Sequence, residues 1–388
     1  MTDSDGGSGA GSEADGTAQQ REKFYTPAGA PLKALRKTLA PHTFNSAAKR
    51  IRIEKLGRTD TQELRRQEEN AADLYGTVTN LRCMASQVGD KRPISSVKFS
   101  PCEKYVLTSS WSHQSAVWSE ETMEKSRTYV GHRDRVLEAD WHPKAGLPSG
   151  PSPTAVNFAT ASADGTAILW ALDDGEKPLA KLEGHAARLA HVAWHPIGSH
   201  VATTSYDRTW RLWDGTTAKE VLCQEGHAVE VYSLAFQGDG ALVATGDLGG
   251  VARVWDLRSG KSIFLMQGHS KGVLSIDWAP NGFKLATAGD DHTVRVWDLR
   301  SKACEYTIPA HNHLVSKVKF APVSGEYLVS SSYDRTVKLW STRDFSCLAT
   351  LPAHDDKVMS FDISRDEKRM LSSGFDRKFK SWSRSFLS

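Results

Sequence analysis

Histidine and aspartate recur along this chain in pairs that could do acid–base chemistry. His132, His185, His269, His311 and His354 are each followed, 22 to 32 residues later, by Asp164, Asp207, Asp291, Asp334 and Asp376. Each aspartate stands six residues ahead of a tryptophan: Trp170, Trp213, Trp297, Trp340 and Trp382. An imidazole oriented by a carboxylate is the base half of a hydrolytic triad. An active site, however, is one singular constellation, and this pair occurs five times. The pairs therefore read as structural: an aspartate in a tight turn, held by the imidazole, with the indole N–H as the donor end of the network. No Ser/His/Asp set, metal-ligand cluster or phosphate-binding glycine loop stands outside the repeat. The sequence predicts no catalytic residue, no metal and no cofactor.

The elements that position these residues are repeats. Tryptophans at 118, 170, 213, 255, 297, 340 and 382 are separated by 52, 43, 42, 42, 43 and 42 residues. Gly-His or Ala-His opens six of the repeats, and Trp-Asp-like dipeptides close them. That period with those end residues is the WD40 repeat. Within one repeat, 191–196, 200–205, 209–214 and 220–225 are short β-rich runs divided by turns. The expected fold is all-β: a seven-bladed WD40 β-propeller over 81–388. The seventh repeat stops after Trp382 without a fourth strand, so Cys83–Val88 is expected to supply it and close the ring. A chain beginning at Arg92 should then not hold the ring together.

Two repeats depart from the pattern. The first has Gly89-Asp90 for Gly-His and Ser112 in the turn; the fourth keeps His227 and Trp255 but has Gly249 at the aspartate position. Both are expected to be held by strand pairing and packing alone, with Gly249→Asp restoring the fourth. Residues 144–154, with Pro148, Pro151 and Pro153, form a surface loop in the second repeat.

Charge is unevenly distributed. Of the 388 residues, 1–20 carry four acids and no base, 21–60 carry ten Lys/Arg against three acids, and the rest balance at 39 of each sign. Residues 1–22 are expected to be a disordered acidic tail. Residues 23–80 are expected to form a basic helical arm split at Pro41, with a capping box at Asp60 and Glu63. Leu64, Ala71, Val78 and Ala85, with Leu74 and Leu81 between them, make a heptad-like seam through Met84, suited to packing on the propeller edge or to a partner helix. Five scattered cysteines without CxxC spacing fit a reducing compartment. The absence of a long apolar run and of a basic-then-apolar start points to a soluble intracellular protein.

For a propeller, function belongs to surfaces. The residue before each turn aspartate faces a partner on the upper face, which selects Trp111, Tyr333 and Phe375 on three neighbouring blades. Arg335 and Arg377 follow the aspartates there, and Tyr206 with Arg208 repeat the pattern on the third blade. Aromatic plus arginine is the composition of interface hot spots. On the arm, Lys49, Arg50, Arg52, Lys55 and Arg58 could neutralise RNA phosphates or meet a protein partner; the alternative is that they form the solvated face of a helix. Trp-Asp-Leu-Arg at 255–258 and 297–300 resembles a box by which some WD40 proteins dock to a cullin-type ubiquitin ligase adaptor.

The non-repetitive stretches carry a closer resemblance. SQVGDKRPISSVKFSP (86–101), SSWS (109–112), WHPKAG with its Pro-rich insert (141–153), TTSYDRTWRLWD (203–214) and TIPAHNHLVSKVKF (307–320) are similar to the pre-mRNA processing factor 4 family. These are WD40 subunits of the spliceosomal U4/U6 small nuclear ribonucleoprotein. SAAKRIRIEKL (46–56) looks like that family's basic helix; where the family usually carries a splicing-factor motif domain ahead of it, the resemblance leads here to the expectation of a Gly/Ser/Asp tail instead. The resemblance implies a nuclear, non-catalytic scaffold of the U4/U6 and U4/U6·U5 particles. Implied partners are a pre-mRNA processing factor 3-like protein, the U4/U6 snRNA region and a nuclear cyclophilin. No membrane and no small-molecule substrate is expected. The alternative is a WD40 substrate receptor of a cullin-type ligase, or a chromatin adaptor.

Overall fold

Short runs of β-branched and aromatic residues alternate with Gly, Asp and Asn turns, and each repeat folds as an antiparallel sheet. The computed structural model describes residues 29–59, 61–173 and 177–384, which form two helices and seven four-stranded sheets. In the third blade, Leu189–Trp194, His200–Ser205, Trp210–Asp214 and Glu220–Gln224 are neighbours in that order. The first strand of each blade lines a central channel and the fourth lies outermost. The core is divided into layers shared by adjacent blades. One such layer joins Ala159 and Leu169 of the second blade to Val192, Trp194 and Val201 of the third.

The ring closes through β1 (Leu81–Val88), which pairs antiparallel with Lys378–Arg384, Leu81 opposite Arg384 and Val88 opposite Lys378. The strand begins two residues ahead of Cys83. It pairs an edge that the seventh blade would otherwise expose. The proline-rich insert lies between Val136–Trp141 and Phe158–Ser162. Asn157 holds it by donating to the carbonyls of Ser152, Pro153 and Ala155.

Before β1 run α1 (Ala30–Thr59) and α2 (Thr61–Thr79). Pro41 does not split the arm; α1 continues through it. Proline removes one N–H from the helix, but packing on both sides holds the helix in place. Leu32, Leu35 and Leu39 are buried before Pro41 and Thr43 after it. The three leucines pack against Trp210 and Leu222 of the third blade and Leu257 of the fourth. Nor does the second helix reach Met84: it ends at Thr79, and Leu81 and Ala85 belong to β1. Ala71 and Val78 of the seam are buried, Val78 in a layer with Tyr327, Leu351 and Trp382. The Tyr75 hydroxyl donates to the Glu326 carbonyl at 3.1 Å. Thus α2 packs on the propeller. The tail 1–22, and the capping-box side chains of Asp60 and Glu63, lie outside the described residues.

Candidate functional site

The turn networks decide which upper-face groups remain for a partner. In the third blade the Trp213 indole N–H donates to Thr203 Oγ1 at 2.8 Å. That hydroxyl lies 2.8 Å from His185 Nε2, and His185 Nδ1 lies 2.8 Å from Asp207. The donor sense that satisfies every atom runs Trp to Thr to His to Asp. Asp207 also accepts the Thr209 hydroxyl at 2.7 Å and the Ala186 N–H at 3.2 Å. Burial alone would push its carboxyl up, but the bonds from His185 and Thr209 hold it well below the usual carboxylate range. His132–Asp164, His269–Asp291, His311–Asp334 and His354–Asp376 repeat the arrangement, with Thr160, Thr287, Ser330 and Ser372 as the hydroxyl. The tryptophans bond this hydroxyl, one link removed from the aspartate.

The fourth blade has a full network and the first a side-chain clasp, contrary to the expectation that packing alone holds them. In the fourth, His227 Nδ1 lies 2.8 Å from Asp247, His227 Nε2 lies 2.7 Å from Thr245, and Trp255 donates to Thr245 at 2.8 Å. Asp247 sits two residues before Gly249, at the place of Ser205 in the third blade. There the serine hydroxyl accepts the turn N–H of Asp207; Asp247 accepts the Gly249 N–H itself and so fills both roles. The sequence signal was an acid eight residues ahead of the tryptophan. In the first blade the polarity is reversed. Asp90 occupies the histidine position and accepts the Ser112 hydroxyl, while Trp118 donates to Thr108 at 2.8 Å.

The upper face gathers three of the expected aromatics into one row. Trp111 and Phe375 meet edge to face at 5.3 Å. Lys357 lies 5.5 Å from the Phe375 ring and 5.2 Å from Tyr333, and Arg135 lies 5.1 Å from Trp111. Cations at such distances are attracted by the ring faces. Arg135 and Lys357 were missed from sequence, although each stands immediately ahead of a channel strand. Tyr206 is apart from the row, covered by Arg188 at 3.8 Å. Arg208, Arg335 and Arg377 are exposed at φ of 68°, 72° and 66°. Gly165 and Gly250 take the same turn position in other blades at 82° and 87°. Holding arginine in a left-handed conformation costs roughly 1 kcal/mol or more, so at these turns conformational ease is given up for an outward cation.

Beneath the row runs the channel, with cavities of about 130 Å³ at its upper end and 380 Å³ below. Several of its charges are paired: Lys98–Asp140 at 2.8 Å, Lys319–Asp362 at 2.6 Å, and Glu138 at 3.4 and 3.5 Å from Lys98 and Lys317. Asp140, Asp277 and Asp362 each accept a backbone N–H of the next blade, from Trp194, Phe320 and Phe99, all at 2.8 Å. These carboxylates staple blade to blade. Among the described residues no group of three His, Cys, Asp or Glu could hold a metal ion.

On the arm, Lys49, Arg52 and Lys55 are exposed. Arg50 is not an outward contact. Its guanidinium bonds Asp239 at 2.9 and 2.6 Å and the Asn281 carbonyl, fastening α1 to the fourth and fifth blades. The Arg58 side chain lies outside the described residues. In the Trp-Asp-Leu-Arg stretches, Arg258 bonds Asp256 and covers Phe44, and Arg300 bonds Asp298 and covers Phe283. Both arginines are used within the chain.

The family described as the EIPR1 beta-propeller matches residues 139–340, and the WD domain, G-beta repeat, matches 81–119 and 345–383. An uncharacterized WD repeat-containing protein of Schizosaccharomyces pombe is 37% identical over 123 residues, 32% of this chain and 26% of that protein. U4/U6 small nuclear ribonucleoprotein PRP4 of Saccharomyces cerevisiae is 32% identical over 207 residues, 52% of this chain and 42% of that one. U4/U6 small nuclear ribonucleoprotein Prp4 of Homo sapiens is 40% identical over 127 residues, 33% and 24% of the two chains. The matches thus span about a quarter to two fifths of these relatives' length. Seven four-stranded blades, their repeated Trp–hydroxyl–His–Asp turns and the match over 139–340 lead to one conclusion: the chain belongs to the WD40 β-propeller family, with a propeller of the EIPR1 type.

Proposed function

We propose that this protein is a non-catalytic scaffold of the U4/U6 and U4/U6·U5 small nuclear ribonucleoprotein particles, working in the nucleus in pre-mRNA splicing. The observation that carries this reading is the likeness to Prp4 proteins from both yeast and mammals. The row Trp111, Phe375, Tyr333 with Arg335 and Arg377 is the surface for a protein partner, a pre-mRNA processing factor 3-like chain. Tyr206 and Arg208 form a lesser, separate contact. The arm, through Lys49, Arg52 and Lys55, is a second surface, for snRNA or for another protein. The rival reading, a cullin-type substrate receptor, is weakened because Arg258 and Arg300 are engaged within the chain.

Affinity purification of the full chain from nuclear extract tests the assignment. Recovery of U4 and U6 RNA with a factor 3-like protein is expected; a cullin adaptor without these RNAs would sink it. Replacing Phe375 and Arg377 by Ala should cost that protein contact about 2 kcal/mol, a hot-spot magnitude, and leave the thermal melt unchanged. Retention of every partner by this variant would move the interface off the upper face.

A further inference from the structure

The outer face of α1 is built differently from its inner face. The inner line, Leu32, Leu35, Leu39, Thr43 and Arg50, is fixed to the propeller by burial and by the Asp239 ion pair. At 100° per residue, Pro41 and Ala48 fall on the opposite side and Phe44 and Ile51 on its flank, together a stripe with the 3-4-3 spacing by which one helix seats against another. All four are exposed, Phe44 by 61% and Ile51 by 44%. Lys33 and Lys37 continue the same line toward the N-terminus and Lys55 toward the C-terminus; Arg52 borders it. The helix carries eight Lys/Arg against one Glu. Lys33, Lys37 and Arg52 make no ion pair among the described residues.

We propose that this face of α1 is a docking site for an acidic amphipathic helix of a partner protein. Large exposed side chains at helical spacing gain by burial, roughly 25 cal/mol per Å² of apolar surface. A partner helix with apolar residues along its centre and Glu or Asp at both ends complements the stripe along its whole length. The line from Lys33 to Lys55 extends about 33 Å at 1.5 Å per residue. A phosphate backbone would meet the cations but leave Ile51, Ala48 and Pro41 uncovered. Single-stranded bases could stack only on Phe44. Because the inner face is anchored on both sides of Pro41, the stripe is presented on a rigid support, which lowers the ordering cost of binding. The inference does not depend on the splicing assignment.

The test uses the full chain and three labelled probes, followed by fluorescence anisotropy at two salt concentrations. These are a synthetic 21-residue helix with Leu along its seam and Glu at its flanks, the same helix with Lys for Glu, and a 12-nucleotide single-stranded RNA. The Glu helix should bind and the Lys helix should not. Phe44→Ser with Ile51→Ser should weaken the Glu helix at least tenfold at both salt concentrations. Lys37→Glu with Arg52→Glu should weaken it similarly at low salt and admit the Lys helix. All four substituted side chains are exposed, but Phe44 also meets Arg258 of the fourth blade, so the melting curve is expected to be unchanged for the charge variant and only slightly lowered for the serine variant. Absence of Glu-helix binding, equal binding of both helices, insensitivity to the serine changes, or RNA binding in place of the helix would each overturn the proposal.

Discussion

Asp207 in a turn and Asp277 in the channel are both partly removed from bulk water, yet their acidities move in opposite directions. Asp207 is held well below the usual carboxylate range, whereas Asp277 is pushed up to about 6. Burial favours the neutral form of each. Asp207 receives donors from His185, Ala186 and Thr209, enough to reverse that preference. Asp277 accepts the Phe320 N–H at 2.8 Å, and burial outweighs what Lys319 and the backbone contribute. Depth and the donors aimed at a carboxylate together decide whether its charge stabilises the fold.

The largest effect expected to sharpen this contrast is loss of a turn carboxylate. Asp207→Ala and Asp247→Ala should each destabilise by about 3 kcal/mol, because a histidine donor and several N–H groups lose their acceptor. Urea unfolding at neutral pH measures it. Equality of the two would establish that the fourth blade is networked as fully as the third; a neutral Asp247→Ala would refute that. Asp207 has a depressed pKa, so its contribution is present above the unfolded value near 4 and is lost as pH falls further.

Asp277→Asn should act the other way. The native pKa is raised above the unfolded value near 4, so the charged form is disfavoured increasingly from about pH 4 to pH 6 and fully above. Asparagine keeps an acceptor for Phe320 and carries no charge. A gain of roughly 1–2 kcal/mol is expected at pH 7.5, shrinking towards zero at pH 4. Melting of both proteins across that interval gives the answer, and a pH-independent difference would break the comparison.

Smaller changes are expected in the departing blades. Asp90→Ala removes the single hydroxyl clasp of the first blade, and about 1 kcal/mol should be lost. A loss matching that of Asp207→Ala would mean that the reversed pair is equivalent to a His–Asp pair. Gly249→Asp should not stabilise. A Cβ there would meet Val229 Cγ2 at 2.9 Å and Asp247 Oδ1 at 3.3 Å, in a blade whose aspartate is already supplied. A loss of up to about 1 kcal/mol is expected from crowding; a gain by calorimetry would revive the reading that the turn lacks its acid.

Much of the fold was legible because it is written seven times. Seven tryptophans at steps of 42 or 43 residues in all but one case, a Gly-His or Ala-His pair in six repeats, and an aspartate six residues ahead of the tryptophan in five, all repeat one local solution. A register error in any blade would break the pattern. The missing last strand likewise implied a closing strand, found at Leu81–Val88. Singular features were less legible. Asp247 lay two residues from its expected place, and only strand geometry brings its carboxylate to His227. Arg50 resembled its neighbours on a basic helix until Asp239 and Asn281, some 190 and 230 residues away, were found to enclose it.

By itself the sequence determined the repeat, the identity of most network residues and the excess of charge on the arm, since these depend on local spacing and composition. Tertiary structure alone decided which arm cations fasten the helix and which face outward. It also set Arg135 and Lys357 over the aromatic row, and let Pro41 sit inside a continuous helix. The physical reason is common to all three. Each depends on contacts between blades, or between arm and blades, whose partners are far apart in the chain and leave no periodic trace in it.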